Sequence, residues 1–305
     1  MQYNKIKFLN KVHSISIVTK GYSGDEKYLF IKNNKKYFLK ITKQKINSDL
    51  ENILNEGNIP HPHIIEIGNF DEFYYIIEEY IEANNLKENI NKYDSKFIYE
   101  QGFKIGEKYS HLRNKYIDKK VDRNAITTYK NEILEKIKKL EKLIKDIKLE
   151  KTAQEFITFT ICYLQKNFHF IKNSLMVYGH TDIKPSNFLI SNGLIYAIDI
   201  EDTNYIEVSR SLMWSYARSD HELDKKNFSF AKGYLDGLFL FDIPTNIFFS
   251  MNYNYMFNMI NIFIEYLENK EIKRLYNKIN FINDNYKKNN KILISKVIKN
   301  ITKEY

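Results

Sequence analysis

Three oxygen-bearing side chains occur within one short stretch of the sequence, on a loop and around two β-prone segments. Asp182 comes first, Asn187 follows five residues later, and Asp199 ends the second segment. The segments 188–190 and 194–198 are joined by a Ser-Asn-Gly turn, and a hairpin of this length returns its far end close to its start. We therefore expect Asp182, Asn187 and Asp199 to converge on one point.

Hard oxygen donors around one point suit Mg²⁺, which proteins usually bind through one or two carboxylates together with substrate phosphates. Phosphoryl transfer needs this metal, and it also needs a carboxylate that orients and deprotonates the attacking hydroxyl. The stretch is therefore typical of phosphoryl-transfer chemistry.

The elements that must position these residues change in type along the chain. The first eighty residues are β-rich, with Asn33-Asn34 as a hairpin signal and a short helix over 49–55. The strand predictions are Lys11–Thr19, Tyr28–Lys32, Tyr37–Ile41, Ile64–Phe70 and Phe73–Glu79. After Asn84-Asn85 the apolar residues recur at helical spacing, over 97–116, 133–147, 152–170 and from 221 onwards, and a short β-like insertion lies at 177–200. This order predicts an α+β protein in which a β-rich lobe precedes a helical lobe.

The pattern His180-x-Asp182-x-x-x-x-Asn187, followed by Asp199 on a strand, resembles the catalytic and metal loops of the protein-kinase-like superfamily. The end of the second strand, Ile198–Glu201, resembles the aminoglycoside phosphotransferase and choline kinase branch, whose acceptors are small molecules. The resemblance implies Asp182 as the catalytic carboxylate, and Asn187 and Asp199 as ligands of Mg²⁺.

The same resemblance implies a bilobal protein-kinase-like fold. A small antiparallel β N-lobe would cover residues 1–82 and end in the hinge. A mainly helical C-lobe would cover 83–305, with the catalytic and metal loops at 177–202 and helices that bind the acceptor. ATP would be the phosphate donor.

Upstream residues match the nucleotide-binding parts of the family in order and spacing. A phosphate-binding loop between two strands would use Gly21, Ser23 and Gly24. Lys40 on the third strand would hold the nucleotide phosphates, and Glu51 is preferred over Asp49 as its partner acid. The hinge would read the adenine edge through the Glu79 carbonyl and the Ile81 N–H.

Several positions depart from the family pattern. Thr181 replaces the usual Gly of the loop, and Lys184 is more typical of serine/threonine protein kinases. The family usually places an Asp before the next helix to brace the catalytic loop, but residues 207–212 contain none.

The acceptors of the aminoglycoside and choline branch are cations, so we expect an acidic or aromatic acceptor site. An acidic cluster beyond the metal loop is compatible with this: Glu201, Asp202, Glu207, Asp220, Glu222 and Asp224. The expected function is transfer of the γ-phosphate of ATP to a hydroxyl of an aminoglycoside-like or amino-alcohol acceptor. With an aminoglycoside as the acceptor, the protein would confer antibiotic resistance. Alternatives are a protein serine/threonine kinase, a catalytically silent nucleotide-binding scaffold of the spore-coat type, and a nucleic-acid binder.

The composition bears on the partners. A net charge of +9 favours an anionic partner. The positive charge is almost all lysine, however, whereas proteins that bind nucleic acids rely on arginine, so we expect no nucleic-acid partner.

The longest uncharged run, Ile243–Ile264, contains several asparagines and predicts a buried helix rather than a membrane span. The single cysteine, Cys162, excludes an internal disulfide, and we expect it to be buried in a cytoplasmic protein. The oligomeric state stays open.

Overall fold

The structure, a computed structural model, describes residues 2–19, 25–116, 123–172, 176–180, 182–210, 212–213, 225–243 and 246–289. The chain divides into two compact units, Met1–Lys92 with Pro185–Thr203, and Tyr93–Lys184 with Asn204–Tyr305. The first unit is built mainly from strands and the second mainly from helices, which confirms the predicted α+β class. The lobe boundary expected at residue 82 stays a prediction, and the division assigns residues 185–203 to the strand-rich unit.

An antiparallel sheet of five strands dominates the described part of the first unit, in the spatial order β1-β2-β3-β5-β4. Its strands are β1 (Ser14–Ile17), β2 (Glu26–Lys32), β3 (Lys35–Thr42), β4 (Ile64–Phe70) and β5 (Phe73–Glu79). Asn33 and Asn34 have φ angles of 51° and 61°, as the two central residues of a type I′ turn require. The predicted β2–β3 hairpin is therefore confirmed.

Strand alternation gives this sheet two different faces. One face packs an apolar cluster against the N-terminal residues; its buried members are Ile6, Tyr28, Phe30, Tyr37, Leu39, Ile41, Tyr75 and Ile77. The opposite face carries Lys27, Lys40 and Glu78, which are only 9%, 5% and 6% exposed. Burying charged groups is costly unless partners or a ligand compensate them. The second face is therefore the one on which to look for a functional site.

The helix α1 (Leu50–Glu56) confirms the helix predicted over 49–55. It buries Leu50, Ile53 and Leu54 and ends at Gly57. Because these apolar residues occupy one side of the helix, its charged residues are turned away from that buried side.

A second, smaller sheet completes the first unit. Its strands lie in the order β6 (Asn84–Asn85), β8 (Phe188–Ser191), β9 (Leu194–Ala197). Asn192 and Gly193 form the tight turn with φ angles of 50° and 76°, so the hairpin predicted there is confirmed. The Ala197 N–H donates to the Pro60 carbonyl at 2.9 Å, which fixes the hairpin to the connector that follows α1.

The second unit is mainly helical. Its described helices are α2 (Ser95–Tyr116), α3 (Arg123–Lys145), α4 (Lys151–Lys166), α5 (His169–Lys172), α6 (Lys225–Phe239), α7 (Asn246–Glu268) and α8 (Ile272–Asn289). The strand β7 (Met176–His180) pairs with β10 (Thr203–Glu207) and leads into the loop that carries Asp182.

Helices α2 and α6 pack closely through glycines. A Cβ atom built at Gly106 would lie 2.1 Å from the Tyr234 carbonyl oxygen, and one at Gly102 would lie 2.1 Å from the Phe230 carbonyl oxygen. Only glycine allows the two backbones to approach this closely.

Two expectations about the helices have different outcomes. No helix among the described residues is long and apolar enough to cross a membrane, and within α7 the side chains of Asn254 and Asn258 are buried. Cys162, in contrast, is exposed rather than buried. The reason is the orientation of α4, whose buried side carries Phe156, Ile157 and Leu164, among others.

Candidate functional site

The open end of the β8–β9 hairpin brings Asn187 and Asp199 together. Phe188 pairs with Ala197, and the Ile198 N–H donates to the Asn187 carbonyl oxygen at 3.0 Å. Asp199 follows in a left-handed conformation, with φ 53° and ψ 41°. The hairpin thus holds the backbones of Asn187 and Asp199 close together, and the convergence of their side chains with that of Asp182 stays a prediction.

Lys40 is buried on β3 beside several carboxylates. Its side chain is 6% exposed, and its Nζ contacts a carboxylate oxygen of Glu201, whose side chain is 7% exposed. The same Nζ lies 3.4 Å from Asp199 Oδ1 and 3.5 Å from Asp25 Oδ2. The structure thus joins the predicted phosphate-holding lysine to the predicted metal-binding carboxylate.

Glu51 does not take the place expected for the acid that pairs with Lys40. In the described residues it pairs instead with His63, with 3.2 Å between Oε1 and Nδ1, and both side chains are partly exposed. The buried side of the short helix α1 is filled by apolar residues, so Glu51 lies on another side of the helix. The expected pairing of Glu51 with Lys40 is therefore wrong. Glu201 takes that place instead.

The sequence places Glu201 in the acidic cluster that we expect near the acceptor site. Glu201 lies two residues after Asp199, which itself lies two residues after the second strand of the hairpin. This short spacing is the signal that could have identified Glu201 as a partner of Lys40. A short 3₁₀ turn, Ile200–Asp202, directs its side chain to Lys40.

Glu78 is a second carboxylic acid that the sequence did not single out. It lies on β5, on the same face of the sheet as Lys40, and no hydrogen-bond partner for its Oε1 occurs in the described residues. Burial raises the pKa of the Glu78 carboxyl well above its usual range, and the negative charges of Glu201 and Asp199 raise it further, although Lys40 opposes them. The protonated form of Glu78 is therefore favoured compared with that of an exposed glutamate.

The predicted hinge directly follows β5. The Glu79 N–H donates to the His63 carbonyl oxygen at 2.9 Å, and the Tyr80 N–H donates to the Lys36 carbonyl oxygen at 3.0 Å. These bonds hold the segment at the end of the sheet, and the contact of the Glu79 carbonyl and the Ile81 N–H with a base stays a prediction.

The loop after β7 carries the predicted catalytic carboxylate. The Asp182 N–H donates to Nδ1 of the buried His180 at 3.1 Å, so this histidine fixes the loop backbone, as the sequence indicates. The Lys184 ammonium contacts Asp182 Oδ2. A lysine two residues after Asp182 therefore holds the carboxylate from the same loop.

The segment that lacks the family's bracing Asp contains a different polar cluster. Ser209 is completely buried; its Oγ accepts from Asn254 Nδ2 at 2.7 Å and donates to Ser250 Oγ at 3.2 Å. The Tyr129 hydroxyl donates to Asn254 Oδ1. Because Ser209 closely follows β10, which pairs with β7, these bonds anchor the strand pair that leads to Asp182.

Some predicted site residues lie outside the described residues. They are the phosphate-loop residues Gly21, Ser23 and Gly24, and the acidic residues Asp220, Glu222 and Asp224.

The residues at the hairpin end suit a hard divalent cation. The described residues contain no group of three or more His, Cys, Asp or Glu side chains that could hold a metal. Mg²⁺ does not need such a group, because it is commonly bound through one or two carboxylates plus substrate phosphates and water. The donor set of one carboxylate and one amide oxygen, from Asp199 and Asn187, therefore fits Mg²⁺ bound together with a phosphate ligand.

Comparisons with known proteins find no match by sequence but clear matches by structure. No protein-family model matches the sequence, and no curated protein matches it. Among solved structures, the aminoglycoside phosphotransferase APH(2'')-Ib bound to ADP matches with a TM-score of 0.64 and 16% identity, over 91% of this chain and 95% of that chain. The chain has the fold of these phosphotransferases.

Two further structures support this assignment of the fold. The streptomycin–ATP complex of APH(2")-IIa matches with a TM-score of 0.61 and 16% identity, over 90% of this chain and 94% of that chain. Choline kinase from Cryptosporidium parvum Iowa II matches with a TM-score of 0.55 and 13% identity, over 97% of this chain and 96% of that chain. The fold expected from the sequence resemblance is confirmed.

Proposed function

We propose that this protein is an ATP-dependent phosphotransferase that moves the γ-phosphate to a hydroxyl of a small molecule. The observation that carries the proposal is the buried Lys40–Glu201 pair, with Asp199 3.4 Å from the same ammonium and held beside Asn187 by a hairpin. Ion pairs this deeply buried are expensive and weak as a source of stability, so a functional reason for them is favoured.

The proposed roles follow the chemistry of the side chains. The oxygen of the acceptor hydroxyl forms a bond to the γ-phosphorus while the bond between that phosphorus and ADP breaks, and Asp182 accepts the proton of the hydroxyl. Such proton transfer typically raises the reaction rate about 10²–10⁴-fold. Lys184 holds the Asp182 carboxylate, and His180 fixes the loop backbone.

Lys40 and the loop 21–24 would bind the phosphates of ATP, and the hinge at Glu79 and Ile81 would bind its base. Asn187 and Asp199 would hold Mg²⁺, which neutralises negative charge on the transferred phosphate when bound. In place of Glu51, we assign to Glu201 the role of orienting Lys40.

The acceptor that we propose is a cationic alcohol, either an aminoglycoside-like compound or an amino alcohol. Two observations support it: the structurally similar proteins include APH(2")-IIa in a complex with streptomycin and ATP and a choline kinase, and the loop end Ile198–Glu201 resembles that branch. We propose that the reaction takes place in the cytoplasm and that an aminoglycoside acceptor would make the protein a resistance enzyme.

The test is transfer of label from γ-labelled ATP by the purified full chain. The acceptors are aminoglycosides, choline, related amino alcohols and a generic protein substrate, each with Mg²⁺ and with excess chelator. We expect Mg²⁺-dependent label in at least one small cationic alcohol. Label in the protein substrate alone would instead establish a protein kinase, and ATP binding with no transfer to any acceptor would favour a silent scaffold.

A further inference from the structure

Lys27 is a second buried lysine on the sheet face that carries Lys40. It lies on β2 directly opposite Lys40 on β3 in the antiparallel register. Opposite residues of paired strands project from the same face, with Cβ atoms about 5 Å apart. Lys27 is 9% exposed and Lys40 is 5% exposed, so two positive side chains lie side by side in a buried region.

The two lysines differ in their partners. Lys40 is within ion-pair distance of Asp25, Asp199 and Glu201. In the part of the chain that the structure describes, the Lys27 side chain forms neither an ion pair nor a hydrogen bond. Like charges directly opposite each other destabilise a sheet, and a cation held over apolar side chains of the strand is available to an anionic ligand. A bound anion at Lys27 would relieve the repulsion between the two lysines.

A shallow groove continues beyond Lys27 along the same face of β2. It has a volume of about 200 Å³ and is lined, among others, by Ser14, Ser16, Leu29, Ile31, Lys36 and Tyr80. Leu29 and Ile31 follow Lys27 at alternate positions of the strand, so they share its face. The face therefore offers apolar and aromatic side chains in one part and two lysines in the other.

This order of side chains suits a ligand with a flat ring at one end and several negative charges at the other. A nucleoside polyphosphate has this chemistry. In addition, β2 begins at Glu26, directly after the segment 21–24 that the sequence predicts as a phosphate-binding loop. The anionic end of such a ligand would thus meet Lys27 at the start of the strand.

We propose that Lys27 is a second phosphate-binding residue, whose ammonium contacts the polyphosphate chain of the nucleotide beside Lys40. This inference rests on the proposed function, because it assigns the polyphosphate to the ATP of that site. Lys40 is held by three carboxylates and is thereby oriented. Lys27 supplies positive charge that those carboxylates do not already compensate.

The test compares Lys27→Gln with Lys43→Gln in the full chain. Lys43 directly follows β3, and its side chain is 70% exposed, so its variant removes the same charge outside the groove. Calorimetric titrations with ATP, adenosine and inorganic tripolyphosphate are run on both variants and on the unmodified protein. The thermal midpoint of each protein without ligand controls for folding.

We expect Lys27→Gln to weaken ATP and tripolyphosphate binding roughly tenfold, the loss typical of a charge-assisted hydrogen bond, and to leave adenosine binding unchanged. Its thermal midpoint without ligand should stay the same or rise, because a positive charge directly opposite Lys40 is removed. Lys43→Gln should bind all three compounds as the unmodified protein does.

The outcomes separate this inference from the proposed function. Unchanged ATP binding by Lys27→Gln, or an equal loss for ATP and adenosine, would overturn the role of Lys27 and leave the proposed function standing. Lys27-dependent binding of tripolyphosphate without ATP binding would overturn the proposed function and the nucleotide as the ligand of Lys27, and would leave Lys27 as a residue of a polyphosphate site. Binding of none of the three compounds to the unmodified protein would overturn both.

Discussion

Glu78 shows how the burial of one residue changes its chemistry. Its carboxyl is shielded by the sheet, lies near two other acids, and has its pKa raised well above the usual range, first by burial and then by Glu201 and Asp199. Above the ordinary value of 4.5, the unfolded chain releases this proton while the folded chain keeps it. The group therefore costs stability as the pH rises above that value, until the pH passes the raised pKa of the folded state.

The variant Glu78→Gln removes this titration while keeping the shape of the side chain. Relative to the unmodified protein, we expect its free energy of unfolding to increase as the pH rises above 4.5, by up to about 1.4 kcal/mol per pH unit. Urea unfolding at several pH values measures the difference. Glu72→Gln, at an exposed carboxyl, is the control, and the same pH profile for both variants would contradict the account.

Sequence patterns predict residues of this site when their signal is local. Asp182, Asn187 and Asp199 follow from spacing within one stretch, and Lys40 follows from its place on a strand. The sequence did not predict the burial of Glu78 or the pairing of Glu201 with Lys40, because both depend on residues far away in the chain. Glu201 and Lys40 are 161 positions apart. Periodicity carries no information about which distant acid reaches a buried lysine.

At the scale of elements, the partner of Lys40 is decided by the geometry of α1 and of the β8–β9 hairpin. The short helix turns Glu51 to His63, whereas the 3₁₀ turn after β9 brings Glu201 to Lys40. Strands, helix and hairpin were all predicted from residue patterns, but the pairing between them was not, because it depends on how the elements pack.

A matched pair of variants distinguishes the two possible partners. Glu201→Gln should destabilise the protein by about 3 kcal/mol and weaken ATP binding, because it removes the buried carboxylate in contact with Lys40, while Asp25 and Asp199 lie farther from it. Glu51→Gln removes a partly exposed pair with His63 and should cost less than about 1 kcal/mol. Chemical denaturation and ATP titration measure both effects, and a larger loss for Glu51→Gln would reverse the assignment.

At the scale of the whole molecule, the residues of the proposed reaction belong to both units. Lys40, Asn187 and Asp199 belong to the first unit and Asp182 to the second, and the division of the chain falls between Lys184 and Pro185. The chain has the fold of known small-molecule phosphotransferases although its sequence identity to the structures compared is only 13–16%. A shared fold does not identify the acceptor, so the acceptor must be found by experiment.

The most direct measurement is the rate of phosphate transfer by Asp182→Asn, with the exposed Asp146→Asn as its control. The full chain is mixed with labelled ATP, Mg²⁺ and the best acceptor of the panel, and ATP binding is titrated in parallel. The account predicts that Asp182→Asn binds ATP normally but transfers phosphate about 10²–10⁴-fold more slowly, while Asp146→Asn retains the full rate. Transfer by Asp182→Asn at the rate of the control would contradict the account.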